Sequence, residues 1–282
     1  MSKSLHSNNI HNKGYDFDFL SEKYPKINAF LIEKFGKTTI DFSNPTAVKE
    51  FNKALLFAYY GVKDWNFPDT NLCPPIPGRV DYIHHLADFI GNETNVTLLD
   101  IGTGASCIYP LLGNAVYNWQ FVGTDIDKNS LVTAQKIIDA NKLNEAIELR
   151  FQKDEQDILT GILSEDDSFT ATLCNPPFYA SAEEARGANR RKTRNLGTNT
   201  VRNFAGNNNE LWYVGGEKAF LHNYLYQSSL FKKQSEWFTS LVSKKENVES
   251  LQQSGKKLGV QEFKIIPMQQ GNKVTRIVCW RF

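Results

Sequence analysis

The sequence predicts an α/β fold: a doubly wound, mostly parallel sheet closed by an antiparallel terminal hairpin, with an N-terminal helical extension. Three observations carry this. From Val96 onward, short apolar runs alternate with segments of helical period, as in a parallel sheet joined by crossover helices. The last two runs are separated only by the turn sequence Gln269-Gln270-Gly271-Asn272, so they pair antiparallel. Ahead of this alternation, apolar residues recur three and four apart between Phe17 and Tyr60.

Residues 1–14 are polar and carry Lys3, His6, His11 and Lys13 without an acid. They read as a loose terminus or as a basic arm that touches phosphate. Phe19, Leu20, Tyr24, Ile27, Phe30 and Leu31 form a helical stripe broken at Pro25. A second helix starts at Asn44-Pro45, with proline at its first position, and stops at Gly61. Lys49 and Lys53 are expected on its exposed face. Cys73-Pro74-Pro75-Ile76-Pro77-Gly78 reads as a stiff connector, neither helix nor strand. A helix from about Asp81 to Ile90 follows. Strands are expected at Val96–Ile101, Trp119–Thr124, Ile147–Gln152, Phe169–Cys174, Trp237–Val242, Gly259–Met268 and Val274–Phe282. Helices fall at Ile108–Tyr117, Leu131–Ala140, Glu217–Phe231 and Val248–Leu258. The expected division is an extension over residues 1–84 and a core over 85–282.

Composition narrows the class. The 282 residues are 41% hydrophobic and 22% charged, and 32 basic residues balance 31 acids. A chain this long buries a full core without disulfide staples. The near-neutral balance implies that any nucleic-acid footprint is local. Cys73, Cys107, Cys174 and Cys279 lie too far apart in sequence for a metal knuckle or a redox pair. They read as reduced thiols of a cytoplasmic protein. No apolar run approaches a membrane span, and the first residues lack the apolar core of a signal peptide. His84 and His85 are adjacent on a helix and so point apart, and no metal is expected.

Two motifs carry the chemistry. Leu99-Asp100-Ile101-Gly102-Thr103-Gly104 sits where a strand gives way to a helix, and its glycines let the backbone approach a ligand. Asp125 ends the next strand, where a carboxylate accepts ribose hydroxyls. A dinucleotide fingerprint needs a third glycine, and Cys107 stands in its place. The acid at Asp100 and the missing glycine favour a ligand without pyrophosphate, such as S-adenosylmethionine. Asn175-Pro176-Pro177-Phe178 follows the fourth strand of the alternation. There Asn175 and a backbone carbonyl accept hydrogen bonds from a planar amine, and Phe178 stacks on a base. Downstream, Arg186, Arg190, Arg191, Lys192, Arg194 and Arg202 lie in a polar segment, Arg186 to Asn209, that lacks acids. It reads as an RNA-contacting lid, with Tyr179 available for stacking. Trp212 reads as packing, and Glu217 as a favourable charge at a helix start.

The asparagine-proline-proline-phenylalanine tetrad marks amino-methyltransferases of the class I Rossmann-like fold. IDFSNPTAVKEFNKALL, LCPPIPGRVDYIHHLADF, LLDIGTGASCIYPLLG, ATLCNPPFYAS, ELWYVGGEKAF and WFTSLVSKKENV together resemble the ribosomal RNA large subunit methyltransferase F family, from about Asp41 to Phe282. That family is the bacterial relative of eukaryotic enzymes that methylate N6 of adenosine in structured RNA. The resemblance implies a seven-stranded methyltransferase core, S-adenosylmethionine as cofactor, and N6 of one adenosine in 23S ribosomal RNA as acceptor. It implies that Arg79 meets the cofactor's carboxylate. Gly102, with Asp100, Gly104 and Ser106 nearby, passes under its methionine part. Asp125, where relatives carry Glu, holds the ribose, and Asp154 neighbours the adenine. Asn175 and the Pro176 carbonyl grip the target amine, within a loop stiffened by Pro177. The expected partner is 23S RNA or an assembling large subunit, met by a monomer. Two rivals are a same-fold enzyme acting on DNA adenine or protein glutamine, and an RNA-binding protein that retains the fold without catalysis.

Overall fold

The computed structural model describes residues 4–91, 93–184, 187, 211–270 and 273–282. The expectation of an RNA-contacting lid at Arg186, Arg190, Arg191, Lys192 and Arg194 lies outside the described residues.

In chain order, α1 is Phe17–Lys23, β1 Leu31–Lys34, β2 Lys37–Ile40, α2 Pro45–Tyr60, α3 Ile76–Ile90, β3 Thr97–Ile101, α4 Ile108–Tyr117, β4 Gln120–Asp125, and α5 Lys128–Ala140. Then come β5 Ile147–Phe151, β6 Phe169–Cys174, α6 Gly216–Leu230, β7 Ser235–Val242, α7 Lys245–Leu258, β8 Glu262–Gln270 and β9 Lys273–Arg281. Seven strands form one sheet in the order β5-β4-β3-β6-β7-β9-β8. The first five are parallel, and β9 runs antiparallel to both β7 and β8. The fold is therefore the one expected from the alternation and terminal hairpin. The strand order reverses beside β3, which opens a crevice at the carboxyl ends of the parallel strands.

Strand β3 shows how the core sits. Leu98 faces a cluster built from α2, α3 and α4, including Leu55, Ile83 and Leu112. Leu99 faces the opposite cluster, with Leu221, Tyr224 and Trp280. Such two-sided burial is why the central strands read as continuous apolar runs. Among the described residues, no helix is long and apolar enough to cross a membrane.

The N-terminal region departs from the sequence reading in four places. An antiparallel hairpin, β1–β2, interrupts the expected helical run. Its strands carry Leu31-Ile32 and Thr38-Thr39-Ile40 around a Phe35-Gly36 turn, and β-branched residues fit a pleat better than a helix. Helix α3 begins at Ile76, with proline in its first turn, where the missing N–H costs nothing. It runs unbroken through residue 84. Lys49 is buried, not exposed: its Nζ donates to the Phe67 carbonyl and pairs with Asp69 at 2.7 Å. Lys53 is half-buried against Glu50 at 2.6 Å. The N-terminal arm is pinned to α3. The His6 backbone N–H donates to Asp81 Oδ1 at 2.7 Å, Asn9 Nδ2 donates to the Pro77 carbonyl at 2.9 Å, and buried His11 meets Tyr60 Oη at 2.9 Å. Leu20, Ile27 and Ile40 join the same apolar cluster as α2, α3 and α4.

The ends of α2 match the expectation. Asn44 Oδ1 accepts from the N–H groups of Thr46 and Ala47 at 3.0 and 3.3 Å, and Gly61 closes the helix with φ 68°.

Gly113, inside α4, generates a test. A Cβ there would stand 2.4 Å from Phe121 Cζ, on a ring buried in the core. Gly113→Ala gains helix propensity of about 1 kcal/mol but overpacks the core, at a typical cost of ~1–3 kcal/mol. The expected outcome of chemical denaturation is a net loss of stability. A stabilised variant would mean that Phe121 has room to turn away.

Candidate active site

The carboxyl ends of β3, β4 and β6 open onto a cavity of about 1180 Å³. Of the residues singled out in the sequence, Arg79, Gly102, Gly104, Ser106, Asp125, Asp154, Asn175 and Pro177 line it. Buried Asp100 lies behind this lining. Pro176 is buried, and Phe178 sits at the surface beyond the lining.

The turn after β3 is held by the neighbouring strand. The N–H groups of Gly102 and Thr103 both donate to the Thr124 carbonyl at 2.9 Å. Gly102 has φ 75°, and a Cβ built there meets nothing within 4 Å. Its face therefore opens into free space. Asp125 completes the turn: Oδ2 accepts from Gly104 N–H at 2.9 Å and Oδ1 from Asp127 N–H at 2.8 Å. Burial raises the Asp125 pKa above the usual carboxylate range, and these backbone donors partly oppose it.

Asp100 has no hydrogen-bond partner for either carboxylate oxygen among the described residues. The nearby Thr103 hydroxyl turns instead to the Cys107 sulfur at 3.7 Å. Burial, reinforced by the charge of Asp125, lifts the Asp100 pKa to about 7. A buried carboxyl of this kind is costly unless something cationic approaches it. Arg79 reaches in from α3, with Nη1 donating to Tyr109 Oη at 3.1 Å.

The far wall follows β5. Gln152 Oε1 accepts from Asp154 N–H at 3.0 Å. Gln227 Oε1, from α6, accepts three backbone N–H groups in a row, from Ile158, Leu159 and Thr160, at 2.8–3.0 Å. The sequence reading missed Gln227, because a glutamine among helical residues carries no sequence signal of such a role. Beyond the asparagine-proline tetrad, Tyr179 N–H donates to the Leu211 carbonyl and Tyr213 N–H to the Tyr179 carbonyl, at 3.1 and 3.0 Å. The chain thus leaves and re-enters the site at one doorway. Trp212 lines the cavity, and its buried indole N–H is unpartnered among the described residues. Glu217 is buried rather than a free charge at a helix start. It accepts from Ser243 N–H at 2.8 Å and Asn247 Nδ2 at 2.6 Å, joining the starts of α6 and α7.

The lining holds Asp125, Asp127, Asp154, Glu155 and Asp157 against Arg79 and Lys153. Such a balance repels a pyrophosphate and suits a cationic ligand that also bears one carboxylate. Among the described residues, no group of three or more His, Cys, Asp or Glu side chains is placed to hold a metal ion. His84 Nδ1 is instead within 2.7 Å of Tyr117 Oη, and His85 Nε2 is 3.6 Å from Asp81.

Comparisons with known proteins agree with this geometry. A family model for RNA methyltransferases, Methyltransf_10, matches residues 1–282. Ribosomal RNA large subunit methyltransferase F of Flavobacterium johnsoniae is 49% identical over 295 residues, covering 99% of this chain and 93% of that protein. The protein of the same name from Bacteroides thetaiotaomicron is 47% identical, with coverage of 99% and 97%. The hMettl16 catalytic domain, solved in complex with MAT2A 3′UTR hairpin 1, superposes with TM-score 0.87 at 31% identity, covering 99% of this chain and 96% of that one. The N-terminal domain of human METTL16 in complex with SAH gives TM-score 0.80 at 27% identity, covering 99% of each chain.

Asp100 supplies the test of this electrostatic picture. Its folded pKa of about 7 lies above the ordinary 3.8. Between those values the folded state holds a proton that the unfolded chain has released, so stability falls as pH rises. Asp100→Asn should flatten that slope and raise stability at pH 8 relative to the parent. Thermal melts from pH 4 to 8 check this, and an unchanged slope would show that Asp100 ionises freely.

Proposed function

The chain belongs to the RNA methyltransferase family, and on that premise we propose that it transfers a methyl group from S-adenosylmethionine to N6 of one adenosine in 23S ribosomal RNA. The observation that carries the proposal is the convergence of Asp125 and Asn175 on one acid-rich cavity. An acid suited to ribose and an amide suited to an amine thereby share a wall.

S-adenosylmethionine suits the residues present. Its sulfonium and ammonium are the cations that the acidic lining favours, and its carboxylate suits Arg79. Asp125 would hold the ribose, Gly102 would lie beneath the methionine part with Ser106 beside it, and Asp154 would neighbour the adenine. Asp100 and Gly104 support that turn. When bound, the cofactor supplies an electrophilic methyl group.

The chain's own contribution is positioning. An adenine amine is a poor nucleophile because its lone pair is delocalised into the ring. Asn175 Oδ1 and the Pro176 carbonyl accept from the two amine N–H groups. This stabilises the positive charge that builds on nitrogen and directs its lone pair at the methyl group. Pro176 and Pro177 hold the loop stiff, and Phe178 offers an aromatic face to the base. A paired base is out of reach, so the adenosine must be flipped or already unpaired.

Substrate grip falls to two regions. The basic residues between Arg186 and Arg202 enter and leave through the doorway at Tyr179 and Leu211, beside the tetrad. Residues 1–84 supply an RNA-binding extension to the core over 85–282. The Bacteroides and Flavobacterium relatives carry ribosomal RNA in their names, and the hMettl16 structure holds an RNA hairpin. These parallels favour RNA over DNA adenine or protein glutamine as acceptor.

Asn175→Ala tests the assignment. Losing one positioned transition-state acceptor typically costs roughly 10²–10³ in rate. Single-turnover methylation of 23S RNA should fall by that order, while S-adenosylmethionine affinity measured by calorimetry changes far less. Near-normal turnover would remove Asn175 from the mechanism. Labelled methyl transfer to DNA or protein, but not to RNA, would overturn the acceptor.

A further inference from the structure

The β1–β2 hairpin contains two locally unfavourable choices at one place. Its turn is Phe35-Gly36, with φ of 53° and 71°. Two consecutive residues at positive φ between paired strands make the tight turn that favours Asn-Gly. Phenylalanine is a poor choice there, because a bulky L-residue in the left-handed region is strained. Its ring gains no burial in return: Phe35 is 93% exposed. The second choice is the pair that closes the turn, Lys34 opposite Lys37. Like charges directly across a strand pair repel. The neighbouring acid, Glu33, lies on the opposite face and accepts from Thr38 Oγ1 at 2.7 Å. Lys34 Nζ instead stands 5.7 Å from the centre of the Phe35 ring.

The hairpin's other face explains how this tip is presented. Alternation puts Leu31, Glu33, Thr38 and Ile40 on one side. Ile40 is buried in the core cluster, and Leu31 packs against it. The base of the hairpin is thus anchored, and the tip projects with Phe35 at its end and two lysines beneath it.

We infer that this tip is an RNA-binding finger, in which Phe35 stacks on an unpaired base while Lys34 and Lys37 neutralise the flanking phosphates. The inference rests on the RNA methyltransferase reading above. An exposed aromatic ring recognises any splayed base through its π-face. Paired lysines that repel one another in the free protein are relieved by a polyanion. Both strained choices then become favourable in the complex, which a purely structural turn would not need.

The experiment exploits the opposite signs of stability and binding. Phe35→Asn installs the preferred turn sequence, so melting of the full-length protein should shift up by roughly 2–4 °C. Binding of a fluorescein-labelled RNA hairpin with an unpaired adenosine-rich loop should weaken about tenfold or more, in line with loss of one base stack. The wild-type preference for that probe over a fully paired duplex should shrink. Lys37→Glu, which gives Lys34 an opposite charge, should also melt higher and reduce the dependence of log Kd on log salt by at least roughly 0.7. S-adenosylmethionine affinity should be unchanged in both. Unaltered RNA binding by Phe35→Asn overturns the finger alone. Loss of binding to phosphatidylglycerol vesicles with RNA binding intact overturns it in favour of a membrane contact. A wild-type protein that binds no RNA overturns the underlying functional reading as well.

Discussion

The carboxylate of Asp125 is the tie on which the rest of the site depends. One oxygen holds the Gly104 amide of the turn after β3, and the other holds the Asp127 amide at the start of α5. A single side chain thereby fixes the relative positions of two loops that must both meet one ligand. The Thr124 carbonyl, one residue earlier, takes the Gly102 and Thr103 amides. Backbone groups at a glycine-rich turn would otherwise require water, and an ordered turn is what allows a ligand to be approached closely.

The sheet makes that tie possible. Residues Asp100 and Asp125 stand at the ends of adjacent parallel strands, in register through Ile101 opposite Thr124. Burial on both sheet faces keeps these strands from shifting, because a slip of one residue would send Leu98 and Leu99 to the wrong clusters. The cost is concentrated at the carboxyl edge, where two acids lie close together in a low-dielectric setting. A site that stores uncompensated negative charge is prepared for a cation, and the amine that gains charge during methyl transfer experiences the same field.

Much of this was legible in the sequence, for a physical reason. From Val96 onward each element's period agrees with its tertiary role, and the asparagine-proline tetrad and Asp125 fall at strand ends where the topology gathers ligands. The N-terminal third was read less well. Leu31 and Ile32 fit a helical stripe and a strand equally well, and only pairing with Thr39 and Ile40 decides between them. Lys49 was misread because a lysine's burial depends on a carbonyl and a carboxylate from distant residues, Phe67 and Asp69. His6 and His11 looked like parts of a free basic arm, but their partners on α2 and α3 lie far along the chain. Gln227 left no trace, since its importance comes from three amides about seventy residues earlier, at Ile158, Leu159 and Thr160.

That glutamine also governs how the cavity wall breathes. Three consecutive amides that share one acceptor oxygen cannot open one at a time without straining the others. The 158–160 segment and its anchor on α6 therefore form one cooperative unit of local unfolding. In hydrogen exchange these three amides should report a common opening free energy, with protection that is gained or lost together. The wall is then a latch with two states rather than a gradually loosening loop, and its opening rate bounds how fast anything behind it is exchanged.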